Sequence, residues 1–105
     1  MLMLAAYDSP YGRMVLITDE ELVGKSYYDQ ERRLALMIPE NIHGGDLVGE
    51  EEAVEAMKSA SIIVVTGERS VNLAVREGYL HPASILRVGG VPHAHIYKIP
   101  SQGRL

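Results

Sequence analysis

The run Ile62-Ile63-Val64-Val65, closed by Thr66-Gly67, constrains the fold of this chain more than any other stretch. β-Branched residues lose rotamer freedom in a helix and pack well on a pleated surface. An apolar run without alternation predicts a strand over Ser61–Val65 covered on both faces, and therefore central in its sheet. Thr66 and Gly67 break the run, and the Thr66 hydroxyl can cap a following helix. Glu68 falls in the first turn of that helix, where the dipole favours negative charge. Val71, Ala74, Val75 and Gly78 recur at helical spacing and predict its buried face, with Gly78 able to take the left-handed residue after it. A strand that turns into a helix in this way presents backbone amides at its carboxyl end, a geometry that can bind an anion.

The remaining elements are weaker signals. Met1–Tyr7 and Arg13–Ile17 read as a hairpin around the turn residues Asp8-Ser9-Pro10-Tyr11-Gly12. Thr18-Asp19-Glu20-Glu21 matches a capping box and predicts a short helix stopped by Gly24. Lys25–Arg33 reads as a polar loop leading to a strand over Leu34–Ile38, ended by Pro39. Asn41–Gly49 is a turn-rich connection, and Glu50-Glu51-Glu52 opens a helix to about Ala60 that buries Ala53, Val54, Met57 and Ala60. Ile85–Val88 and Ala94–Ile99 are strands joined through Gly89-Gly90-Val91-Pro92-His93. Residues Pro100–Leu105 read as a frayed tail. The fold class is therefore α+β: a mixed sheet of five or six strands, two main helices, one short helix and one βαβ unit. Ser61–Val88 would form that unit with parallel strands, in the right-handed sense such connections favour.

The 105 residues suffice for one domain, 1–105. The absence of cysteine excludes disulfides and thiolate metal sites and fits a cytoplasmic location. No apolar run reaches the roughly 20 residues of a membrane span. MLMLAAY has no basic segment before it and is too short for a signal peptide, so no membrane partner is expected. A formal net charge of −4 gives no bulk support for nucleic-acid binding, although a local basic patch would.

The segments GGDLVGEEEAVEAMKSA, VTGERSVNLAVREG and HPASILRVGGVPHAHI, taken together, resemble the archaeal family called domain of unknown function 424. The likeness runs from about Gly12 to Ile99 and is clearest from Gly44 onward. Gly67-Glu68-Arg69 and Gly90-Val91-Pro92-His93-Ala94 resemble its two most recognisable motifs, while His95 stands where the family pattern usually has glutamine. The resemblance implies a small archaeal cytoplasmic protein and implies no activity.

Three groups of residues are candidates for function. Gly67, Glu68 and Arg69 could bind phosphate through helix amides and the guanidinium, against the plain reading of a strand-to-helix connection with solvated side chains. Glu68 opposes that anion, and the turn lacks the glycines and lysine of a phosphate loop. If its turn meets the one carrying Gly90, Pro92 and His93, Arg69 and His93 would share a cleft at the carboxyl end of the sheet. Tyr27, Tyr28, Arg32 and Arg33 combine stacking surfaces with cations, as single-stranded RNA requires, against a solvated loop with core-packing tyrosines. His93 and His95 share a strand face but have no evident third ligand, so no tightly bound metal or other cofactor is expected. Glu50-Glu51-Glu52 is explained by a helix start. No nucleophile–base arrangement is recognisable, and the catalytic residues, if any, are unknown. The expectation is a non-catalytic binding module associated with RNA or the translation machinery. The alternatives are a small enzyme or sensor of an anionic ligand in the cleft, and a homodimer built on an exposed edge strand.

Overall fold

The structure, a computed structural model, describes residues 1–99, and the tail Pro100–Leu105 lies outside the described residues. Among the described residues, eight strands and three α-helices follow in order. They are β1 (Leu2–Ser9), β2 (Gly12–Asp19), β3 (Ser26–Asp29), β4 (Leu34–Met37), α1 (Glu40–His43), β5 (Asp46–Val48), α2 (Glu50–Ser59), β6 (Ile62–Thr66), α3 (Glu68–Arg76), β7 (Leu86–Val88) and β8 (Val91–Tyr97). The main sheet is six-stranded, in the order β5-β1-β2-β6-β8-β7, and β3-β4 forms a separate hairpin sheet. The fold is α+β with a mixed sheet.

β6 is central, as its unbroken apolar run predicts. It pairs parallel to β2 and antiparallel to β8. Alternation sends Ile63 and Val65 to one face, where they join Val15, Ile17, Ala94 and Ile96 under α2 and α3. Both are fully buried, and burial of such a side chain is worth about 1.5–3 kcal/mol. Val71, Leu73 and Ala74 of α3 and Ala53 and Met57 of α2 complete this core. Val75 is half-buried rather than fully enclosed.

The opposite face is built differently. Ala5, Leu16 and Val64 form a second cluster, with Met14 and Ile62 packed against it; among the described residues, no helix residue joins it. The β3–β4 hairpin covers one end of this face, where Leu36 and Ile38 meet Val88 and Val91. α1 lies against β1 and β2.

Several local expectations are corrected. The β1–β2 hairpin turns through two residues, Pro10 and Tyr11, and its ladder extends to Ser9↔Gly12. Thr18 does not cap a helix: it is fully buried in β2, and Glu20–Leu22 is a single 3-10 turn. The strand β3 emerges from the segment expected to be a polar loop, because its tyrosines pair across to β4. Asn41–Gly49 contains part of α1 and the edge strand β5. β6 and β7 point the same way on either side of α3, but antiparallel β8 lies between them. The reason is the Gly89-Gly90 turn. Both glycines have positive φ, +56° and +84°, the requirement of a two-residue hairpin. β8 therefore begins at Val91 and folds straight back along β7, and it is β8 that pairs with β6.

Candidate functional site

The two glycine turns meet at one end of the sheet. The Gly67 amide donates to the Pro92 carbonyl at 2.9 Å, and Thr66 is in register with His93. Between the turns lies a cleft of about 330 Å³ lined by Asp19, Glu21, Leu22, Gly67, Glu68, Arg69, Gly90, Val91 and Pro92. The antiparallel return of β8 makes this juxtaposition, rather than the adjacent parallel strand that the sequence suggests.

The amides at the start of α3 already hold an anion, the carboxylate of Asp19. Asp19 Oδ1 accepts from the Ser70 amide and the Ser70 hydroxyl, both at 2.8 Å, and Oδ2 accepts from the Arg69 amide at 3.1 Å. Arg69 Nε lies 3.7 Å from the same carboxylate. Asp19 is buried, and this saturation together with the positive end of the helix is what permits a buried carboxylate. Thr66, expected to cap α3, instead lies 2.8 Å from His93 Nδ1. Gly67 is required twice. Its φ is +104°, and a Cβ there would collide with the Asp19 carboxyl group.

The charged side chains around the cleft are paired. Arg69 bonds Glu21, and Arg87 bonds Glu68 at 2.6 Å. That bond to Arg87 holds the Glu68 carboxyl below its usual range. Val91 and Pro92 line the cleft, but His93 does not; its imidazole lies against Thr66 and His95 instead.

The open face of the sheet gathers residues that are scattered in sequence. Register places Tyr7, Met14, Ile62 and Tyr97 in one row across four strands, with Ala5, Leu16, Val64 and His95 in the next and Met3, Thr18, Thr66 and His93 in the third. Tyr7 is 41% and Tyr97 65% exposed, and His95 is exposed as well. Thr18 Oγ1 lies 3.2 Å from Nδ1 of buried His43, on α1. Burial lowers the His43 pKa. His93 is pushed down to about 4, first by burial and then by the neighbouring imidazoles of His95 and His43. The Nε2 atoms of His93 and His95 are 3.0 Å apart, and His95 Nδ1 is 3.4 Å from the Tyr97 phenol oxygen.

The tyrosine–arginine group divides. Tyr27 packs into the hairpin core, whereas Tyr28, on the opposite face of β3, is 63% exposed. Arg32 bonds Asp29 at 2.7 Å and also the Arg87 carbonyl, and its backbone and side-chain hydrogen bonds lower the Asp29 pKa. Arg33 takes a left-handed conformation, φ 55°, in the hairpin turn and is exposed. These residues therefore do not form one stacking surface. Among the described residues, no group of three metal-ligating side chains is assembled.

Sequence reasoning missed Asp19, Tyr7 and Tyr97. The one signal for Asp19 is indirect: Ser70 is a polar residue on the buried side of α3. Tyr97 continues the alternation of His93 and His95, a period-two pattern visible in the chain.

A family model described as a protein of unknown function, DUF424, matches residues 7–99. The chain belongs to this family. Its fold is similar to that of an uncharacterized conserved protein from the archaeon Methanopyrus kandleri, with a TM-score of 0.74 and 22% identity over 99% of this chain and 96% of that one. At that identity the likeness concerns the fold. No curated protein matches. No described helix is long and apolar enough to cross a membrane.

Proposed function

We propose that this DUF424 protein is a cytoplasmic, non-catalytic binding module that takes single-stranded RNA on the open face of its main sheet. The observation that carries the reading is the row Tyr7–Met14–Ile62–Tyr97, with exposed His95 beside it, on a face whose cluster contains only strand residues. Rings standing on a sheet are stacking platforms for unpaired bases, and stacking tolerates any base. The basic residues contribute less. Arg13, Arg32, Lys58, Arg69, Arg76 and Arg87 each pair with a carboxylate, and the net charge is −4. Few phosphates are neutralised, so the affinity should fall only shallowly with salt.

Fluorescence-anisotropy titration of a labelled oligouridine tests this. The native chain should bind, and Tyr97→Ala should weaken binding by about 1–3 kcal/mol, the worth of one stacked base, while leaving the melting temperature unchanged. Absence of binding by the native chain, or equal binding by Tyr97→Ala, would refute it.

A second reading, a small anionic ligand in the cleft, is favoured by the meeting of the two turns. Its weakness is electrostatic: the helix amides serve Asp19, and Arg69 is shared with Glu21. Homodimerisation through a sheet edge has little strand to work with, since β5 and β7 are three residues each.

A further inference from the structure

His93 and His95 stand two residues apart on β8, so both imidazoles rise from the open face. Their Nε2 atoms approach to 3.0 Å, with ring centroids 4.9 Å apart and ring planes inclined by 71°. Each Nδ1 has an oxygen beside it: Thr66 Oγ1 for His93 and the Tyr97 phenol oxygen for His95. Donation of Nδ1–H to those oxygens leaves a lone pair on each Nε2, and the two lone pairs then face one point. Such a pair repels unless a positive charge sits there. Hydrogen-bond partners on the distal nitrogen are also what orient a metal-binding histidine and fix its tautomer.

We propose that the Nε2 atoms of His93 and His95 form a two-point chelate for a borderline divalent cation of the zinc, nickel or copper class. Imidazole nitrogen suits these ions, whereas magnesium and calcium take oxygen ligands. A tetrahedral ion at ordinary zinc–nitrogen bond lengths sets its nitrogens about 3.3 Å apart, so a small rotation of the exposed His95 ring suffices. Among the described residues no third side chain completes the set. Water fills the other positions, the ion exchanges readily, and a chelator removes it. This separates the site from a tightly held structural metal, which takes three or four protein ligands; among the described residues no such group is assembled. The inference is independent of RNA binding, since it rests on ring nitrogens and not on ring faces.

The untagged chain, stripped with chelator and dialysed, is titrated with zinc chloride by calorimetry, and histidine nitrogen shifts are followed by NMR. One equivalent should bind, moving the Nε2 resonances of both His93 and His95. His95→Gln should lower the affinity at least tenfold with an unchanged melting temperature. His81→Gln should change nothing, because His81 is exposed and its Nδ1 accepts from the Ala83 amide. Because His93 is partly buried, His95→Gln carries the test if His93→Gln fails to fold. No zinc uptake would mean that the two nitrogens merely share a proton and would overturn the proposal. Uptake unchanged in His95→Gln, or unmoved Nε2 resonances, would overturn it equally.

Discussion

Two polar clusters lie on opposite faces of the same sheet, and they differ in what completes them. At the start of α3 the amides of Arg69 and Ser70 and the Ser70 hydroxyl all converge on Asp19, a residue of this chain. On the open face the series Thr66–His93–His95–Tyr97 runs outward along β8 from a buried hydroxyl to an exposed phenol, and its outer members face solvent. The α3 cluster has the sequence of an anion site and the structure of a joint. The β8 cluster has the sequence of a strand with polar decoration, and its outer members His95 and Tyr97 stay exposed. A ligand site is distinguished from a structural one by whether its polar groups are already satisfied from within the chain.

The largest expected effect comes from opening the closed cluster. Asp19→Ala should cost about 3 kcal/mol in urea denaturation, since it removes a helix cap and leaves buried donors without partners. Inorganic phosphate should then raise the midpoint of the variant but not of the native chain, because the vacated amides are a helix N-terminus again. A cost below about 1 kcal/mol, in the range of an exposed ion pair, would mean that the joint is dispensable and the comparison fails.

Gly67→Ala should cost somewhat less, about 2 kcal/mol, the range of a residue forced into a sparsely allowed conformation. The Asp19 carboxyl group must also move to admit the methyl group. A double-mutant cycle with Asp19→Ala should show the two costs to be strongly non-additive, as expected for groups in contact. Additive costs would show that Gly67 acts through its backbone conformation alone.

The smallest effect is in the pH dependence of the open face. His93 is held at about 4 and His43 is also lowered, so the unfolded chain binds more protons than the folded one below the ordinary value of 6.5. Their contribution to stability is complete above about pH 6.5 and is lost as the pH falls toward 4. In chelator-containing buffer the urea midpoint should decline between about pH 7 and pH 5, and His93→Gln should flatten that decline. A midpoint that rises on acidification would show both histidines to be stabilised as cations, contrary to their burial.

The main sheet is legible where local chemistry and tertiary environment agree. β6 and α3 follow from four β-branched residues, a glycine break and a helical stripe, and each keeps its place in the structure. The β7–β8 hairpin is legible as a hairpin, but not the strand order, because the turn residues do not specify which of the two strands pairs with β6. Thr18 and Thr66 show why capping signals mislead. Each has a hydroxyl fit to cap a helix, and each lies buried in a strand beside a histidine nitrogen instead. Asp19 caps α3 from 50 residues away, a relation no local window contains. The sequence places the two glycine turns at one end of the sheet through a parallel pair that does not form. The antiparallel return of β8 brings them together instead, and the occupant of the helix amides is not legible at all. Tyr27 and Tyr28, adjacent in sequence, are separated by strand alternation because Lys25–Arg33 contains β3.

The most direct test of the contrast is backbone amide NMR during titration of the native chain with oligouridine, followed by inorganic phosphate. The account predicts that oligouridine moves the amide resonances around Tyr7, Ile62, His95 and Tyr97, and that neither ligand moves those of Arg69 and Ser70. Movement of the Arg69 and Ser70 amides by phosphate, with the β8 resonances still, would place the binding surface at the cleft and contradict it.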